Sequence, residues 1–107
     1  MSEYLLYGSS GSSDTFFCLS VLNRIVEKSD EDTIRSEIFL ELDYLKKMKE
    51  IAPIYGGEMY GHTATQVIIR DGKYLGSLME IIRVAEKEYG IEDAEIANGK
   101  YRGERSQ

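Results

Sequence analysis

Tryptophan is absent from this chain, and cysteine, proline and histidine occur once each. The single Cys18 excludes an internal disulfide. With His62 as the one histidine, no cluster of His, Cys and carboxylate has metal-site spacing. The opening MSEYLLYGSS lacks the basic flank and apolar length of an export signal, so the expected compartment is the reducing cytoplasm. No apolar run approaches the roughly 20 residues of a membrane span, and no membrane association is expected. Basic residues are in deficit: 13 Lys and Arg face 19 Asp and Glu, a net charge of −6. Nonspecific nucleic-acid binding needs the opposite balance, because Lys and Arg must displace counterions from phosphates. An acidic surface of this kind serves solubility.

What is present suits a small folded domain. The 107 residues are 42% hydrophobic and 30% charged, enough for one modest core. EYLLYG (3–8) is a short apolar and aromatic run ending at glycine, which predicts a buried strand. SSGSSD (9–14) is a small polar loop. TFFCLSVLNRIVEK (15–28) places Phe17, Cys18, Val21, Leu22 and Ile25 on one helical face, with Ser13 or Asp14 as its amino-terminal cap. Residues 33–52 fit two patterns. Ile34, Ser36, Ile38, Leu40 and Leu42 alternate as in a strand, while Ile34, Ile38, Leu42, Leu45 and Met48 also fit one long helix opened by Ser29 and Asp32. The β-branched and aromatic residues near Ile38 and Phe39 favour a strand ending near Leu42. Asp43 would then cap a helix over 44–52, stopped by Pro53.

Residues 53–64 read as a glycine- and tyrosine-rich loop. TQVII predicts a strand, Asp71-Gly72 a two-residue hairpin turn, and YLG the returning strand. SLMEIIRVAEKEYG is a helix with Ser77 and Glu80 as a capping box. Leu78, Ile81, Ile82 and Ala85 form its buried stripe, and Gly90 ends it. The domain therefore spans 1–90. A polar extension, 91–107, follows, with a short amphipathic turn at 91–96 and a loose tail. Strands joined by helices are expected to run parallel through right-handed crossovers, and the hairpin adds an antiparallel pair. The expected class is α/β: a small mixed four-stranded sheet flanked by helices.

TATQVIIRDGKYLGSLMEII resembles the back half of the glutaredoxin branch of the thioredoxin superfamily, and the element order over 3–89 is similar to that family's. Glutaredoxins carry Thr-Val-Pro-Gln entering a strand, then a hairpin, then Gly-Gly and an acidic residue opening the last helix. Thr63, Gln66 and Gly76 stand in matching places, Thr65 where the cis-proline would be, and Ser77 where the second glycine would be. Glu80 stands for the acid that holds the amino end of glutathione. The resemblance implies a thioredoxin-like fold and a docking edge for glutathione or a peptide. A cis bond before a non-proline costs about 2.5–4 kcal/mol, against about 0.5–1 for proline, so a trans bond is expected before Thr65. TFFC matches the family's Cys-x-x-Cys, with Thr15 in the nucleophile's place and Cys18 at the resolving position. GSSGSS is similar to the serine-rich loop of the SH3-domain-binding glutamic-acid-rich family, which has this fold without the cysteine pair.

Three functions follow as expectations. The first is a binding module that has lost dithiol chemistry and takes a peptide, thiol or protein in a groove between the Ser9–Thr15 loop and the Tyr60–Thr65 edge. Its ligand-binding candidates are Ser9, Ser10, Ser12, Ser13, Tyr60, His62, Thr63, Ala64, Thr65, Gln66, Gly76, Ser77 and Glu80. It needs no cofactor, with glutathione as the ligand the resemblance allows, and is a monomer or weak dimer. The second is a glutathione-dependent thiol-disulfide oxidoreductase using Cys18. Against it, Cys18 shares the apolar helix face, where burial raises a thiol's pKa. Thr15 as a nucleophile would need a base, and His62 is the one candidate. The third is an anion site, in which the amides of Gly8–Ser13 cradle a phosphate at the helix start. Tyr55, Met59 and Tyr60 are either partner anchors or a small core closing the sheet edge. No acids are paired for glycosidic chemistry, and the acidic run EKSDEDT is a solvated turn.

Overall fold

A computed structural model of the chain describes residues 1–92. Strand β1 (Glu3–Ser9) leads into helix α1 (Ser13–Lys28), strand β2 (Thr33–Phe39) and helix α2 (Glu41–Tyr55). A 3₁₀ turn at Gly57–Gly61 follows, then strands β3 (Gln66–Arg70) and β4 (Lys73–Gly76) and helix α3 (Leu78–Tyr89). The four strands form one sheet in the order β2-β1-β3-β4. β1 and β2 are parallel, while β3 is antiparallel to both β1 and β4.

The alternation of β1 separates two cores. Tyr4 and Leu6 face α1 and α3, packing with Cys18, Val21, Leu22, Ile25, Ile68, Ile81 and Ala85. Tyr7 faces the other way, with Val67 and Ile69 against Tyr44 and Ile51 of α2 and Met59 of the 3₁₀ turn. Burying a side chain of this size contributes about 1.5–3 kcal/mol, and both faces of the sheet gain it. A compact mixed α/β domain results, with α1 and α3 on one face and α2 on the other. The core extends past α3: Ile91 is buried, and its N–H bonds to the Ala85 carbonyl at 3.0 Å. The expected turn at 91–96 and the tail beyond lie outside the described residues, save Ile91 and Glu92.

Local signals hold where side chains dictate the backbone. Asp71 and Gly72 both take positive φ, 52° and 78°, as a tight hairpin between right-twisted strands requires. Ser77 precedes α3, and Glu80 accepts its backbone N–H at 2.7 Å. Gly90 ends that helix in the left-handed conformation at φ 67°.

Several expectations are corrected. β2 stops at Phe39 rather than Leu42, and α2 starts at Glu41 with Leu40 as its uncapped boundary residue; Asp43 lies inside its first turn. Pro53 does not stop α2, because it falls in the last turn and costs one bond there; Gly56, at φ 64°, ends the helix. Ser12, not Ser13 or Asp14, borders α1, and it makes no side-chain cap bond. Residues 53–64 are not a plain loop, since they hold the end of α2 and the 3₁₀ turn. The crossover expectation also fails for β3. The excursion through α2 begins and ends at the same end of the sheet, where Ser10 N–H bonds to the Phe39 carbonyl and Ser9 N–H to the Thr65 carbonyl. β3 therefore enters beside the end of β1 and runs against it.

Candidate functional site

α1 and α2 leave the carboxyl ends of two adjacent parallel strands toward opposite faces. In open α/β sheets such a divergence leaves a crevice beyond the strand ends. Here the crevice is a groove of about 180 Å³. One wall is Ser9, Gly11 and Ser12, the second is Glu41, Tyr44 and Leu45 of α2, and the third is Thr63, Ala64 and Thr65. The two segments expected to face one another do so. Ser10, Ser13, Tyr60, His62, Gln66, Gly76, Ser77 and Glu80 are outside the lining.

Thr65 joins the walls. Its carbonyl accepts the Ser9 N–H at 2.9 Å and the Thr15 hydroxyl at 3.3 Å. Its own Oγ1 lies 2.7 Å from Ser12 Oγ and 2.8 Å from Gln66 Oε1. The neighbouring Ala64 carbonyl accepts the buried Tyr44 hydroxyl at 2.9 Å. No cis bond occurs among the described residues, so the bond before Thr65 is trans.

The residues with chemical potential are engaged in structure. Cys18 has no exposed surface, and burial pushes its thiol up to about 12, with Asp14 and Glu80 further opposing a thiolate. Thr15 is fully buried, and the backbone of Gly8 presses against it so closely that a Cβ there would strike the Thr15 side chain. His62 Nε2 lies 2.7 Å from the Gln66 carbonyl and must donate to it. Nδ1 therefore accepts from the Tyr74 hydroxyl 2.8 Å away. Desolvation holds its pKa below the usual value. This neutral imidazole has no nitrogen left for Thr15 or Cys18. Glu80 Oε1 takes the Ser77 N–H and hydroxyl, which depress its pKa, and Gly76 approaches it at φ 142°, where a Cβ would collide with that carboxylate.

The serine loop is likewise occupied. The N–H groups of Ser9, Ser10 and Ser12 each donate to a backbone carbonyl, of Thr65, Phe39 and Ser9 respectively. These three amides point inward to carbonyls and are not turned toward an anion. Met59 is core and Tyr60 is two-thirds exposed, at 67%. Among the described residues no three metal-ligating side chains cluster, and no helix is long and apolar enough to cross a membrane.

The α2 wall was missed from sequence. Glu41, Tyr44 and Leu45 fell on the strand-helix boundary, where no capping side chain marks the helix start. The apolar residues around that wall are exposed: Leu40, Leu42 and Leu45 at 71%, 75% and 50%. The first turns of α1 and α2 carry Asp14, Glu41 and Asp43. No protein-family model and no curated protein matches the sequence.

Proposed function

We propose that this chain is a thioredoxin-like domain of glutaredoxin type without thiol chemistry, and that its groove docks an extended segment of a protein partner in the cytoplasm. The observation that carries the reading is the pairing of an open groove at the strand ends with a thiol withdrawn from it into the core. The sheet order, with the first strand between the second and third and helices on both faces, supports the kinship. The size of the groove narrows the ligand. At about 180 Å³ it is smaller than the roughly 300–1,000 Å³ clefts that enclose small molecules. A volume of this size suits one or two side chains of a peptide whose backbone lies along the rim. Glu41 and the apolar Leu40, Leu42 and Leu45 favour a segment that is basic and apolar. The reading needs no bound cofactor.

Two experiments test it. Turnover of a glutathionylated peptide by the purified protein, abolished in Cys18→Ser, would show an oxidoreductase and end the proposal. Selection from a displayed random-peptide library should enrich segments with a basic residue beside apolar ones, and Leu45→Glu should lose them. Equal retention by wild type and Leu45→Glu would remove the groove as the binding surface.

A further inference from the structure

The far edge of the sheet carries a second surface, independent of the groove. β2 is an edge strand, and among the described residues no other strand pairs with its outer side. Its backbone polarity is set by β1. Thr33 N–H donates to the Ser2 carbonyl, and the Phe39 carbonyl accepts from Ser10 N–H. In the parallel register that starts at Glu3↔Thr33, Thr33, Arg35, Glu37 and Phe39 therefore turn their backbone groups toward β1. Ile34, Ser36 and Ile38 turn theirs outward. The side chains alternate in step. Ile34 packs toward the α1/α3 core and Phe39 toward the α2 core, so Arg35 and Glu37 lie on the α2 side, where both act electrostatically on Tyr7.

The run Ile34-Arg35-Ser36-Glu37-Ile38 reads the same from either end in polarity, except that the charges are opposite. We propose that β2 pairs antiparallel with β2 of a second copy, about a twofold axis through Ser36, to give one continuous sheet across the dimer. In this register Ile34 faces the partner copy's Ile38 and Ser36 faces Ser36. These are the outward-turned residues, so each such pair exchanges both N–H···O bonds. Arg35 falls opposite Glu37 in the intervening, closely spaced pairs, once on each side of the axis. Opposite charges at such positions stabilise and like charges oppose pairing.

The neighbouring registers fail on the same residues. Only even shifts keep outward groups facing outward groups, and a shift by four leaves three residues of each strand paired. A shift by two one way sets Arg35 against Arg35, and a shift by two the other way sets Glu37 against Glu37. Edge charges ordinarily deter pairing; these permit one arrangement and repel its neighbours. The opposite edge offers no such template, since β4 is only Lys73–Gly76 and carries an irregularity between Ile68 and Ile69 in its pairing with β3. An isologous contact of this kind closes at two copies.

One strand a side is a narrow interface, so association in the micromolar to millimolar range is expected. Sedimentation equilibrium across that range should give a mass rising to that of two chains. Arg35→Glu and Glu37→Arg, each confirmed folded by circular dichroism, should each remain monomeric. The double exchange should dimerise again, and a mixture of the two single variants should form the mixed dimer. Amide exchange supplies a readout without substitution. The N–H groups of Ile34, Ser36 and Ile38 should slow as concentration rises, while those of Arg35 and Glu37 are slow throughout. A monomer at millimolar concentration overturns the proposal, as does a dimer indifferent to both charge reversals or one leaving those three amides unprotected.

Discussion

Cys18 divides a binding domain from a redox enzyme, and its environment yields a quantitative expectation. A thiol with the ordinary value of 9.0 is about one-tenth thiolate at pH 8, whereas one raised to about 12 is ionised in about one molecule in ten thousand. Only the thiolate attacks an alkylating reagent or a disulfide. Ionisation alone therefore slows Cys18 about a thousandfold. The side chain also has no exposed surface, and reagent reaches it only when α1 opens from the sheet. Labelling by an aromatic disulfide at pH 8 should run at least about a thousandfold slower in the native protein than in guanidinium chloride. A ratio within about tenfold would refute the reasoning and return Cys18 to the enzyme hypothesis.

The same burial has a pH signature. The unfolded thiol ionises as pH rises through 9.0, while the folded one stays protonated until about 12. Its contribution is fully present below pH 9 and is lost above it, by up to about 1.4 kcal/mol per pH unit. Cys18→Ala costs about 1 kcal/mol at neutral pH, through the small cavity it leaves. That cost should shrink and then reverse as urea titrations move from pH 8 to pH 11. Parallel loss in both proteins contradicts a buried, protonated sulfur.

Three other substitutions probe the scaffold. His62→Ala should cost about 1–3 kcal/mol, since it leaves the Gln66 carbonyl and Tyr74 hydroxyl without their partner. Because the folded imidazole has a lowered pKa, its contribution is whole above the ordinary 6.5 and declines as pH falls below it, so the variant's stability should be flatter between pH 7 and pH 5. Gly8→Ala should destabilise by about 1–3 kcal/mol through overpacking against Thr15, and Thr15→Ala should recover part of that loss in a double-mutant cycle by thermal unfolding. Tyr89→Phe removes the hydroxyl that donates to buried Asp32 at 2.6 Å and meets the Tyr4 hydroxyl at 2.9 Å. It should cost about 1.5–3 kcal/mol at pH 7 and less at pH 3, because the Tyr89 bond, the largest cause of Asp32's lowered pKa, stabilises the carboxylate more than the neutral acid.

The legible parts of the fold were those where one side chain imposes one backbone geometry. Asp71-Gly72, the Ser77–Glu80 box and Gly90 each do so, and the apolar face from Cys18 to Ile25 locates α1 within two residues. α2 had no such marker. Leu40 occupies its boundary without capping anything, and Pro53, normally a stop, is tolerated because it falls in the final turn. That single misplacement hid one wall of the groove, since Glu41, Tyr44 and Leu45 become a surface only once the helix starts at Glu41. The direction of β3 was out of reach for another reason. No local pattern encodes whether a helical excursion returns to the end it left, and that depends on packing between α2, the 3₁₀ turn and the sheet.

The same facts support the proposal that the groove holds a partner and does not react with one. Several polar groups at and around the groove already have a partner inside the protein. The Thr65 carbonyl has two donors, the Ala64 carbonyl has Tyr44, the amides of Ser9, Ser10 and Ser12 have carbonyls, and both His62 nitrogens are bound. The Thr65 and Ala64 carbonyls in particular fasten one wall of the groove to another through their donors. Fixed walls lower the entropy lost when a partner binds. What stays available is the set that makes few internal bonds, the apolar Leu40, Leu42 and Leu45 beside the carboxylate of Glu41. The proposed docking therefore rests on α2, the element whose start the sequence marks least.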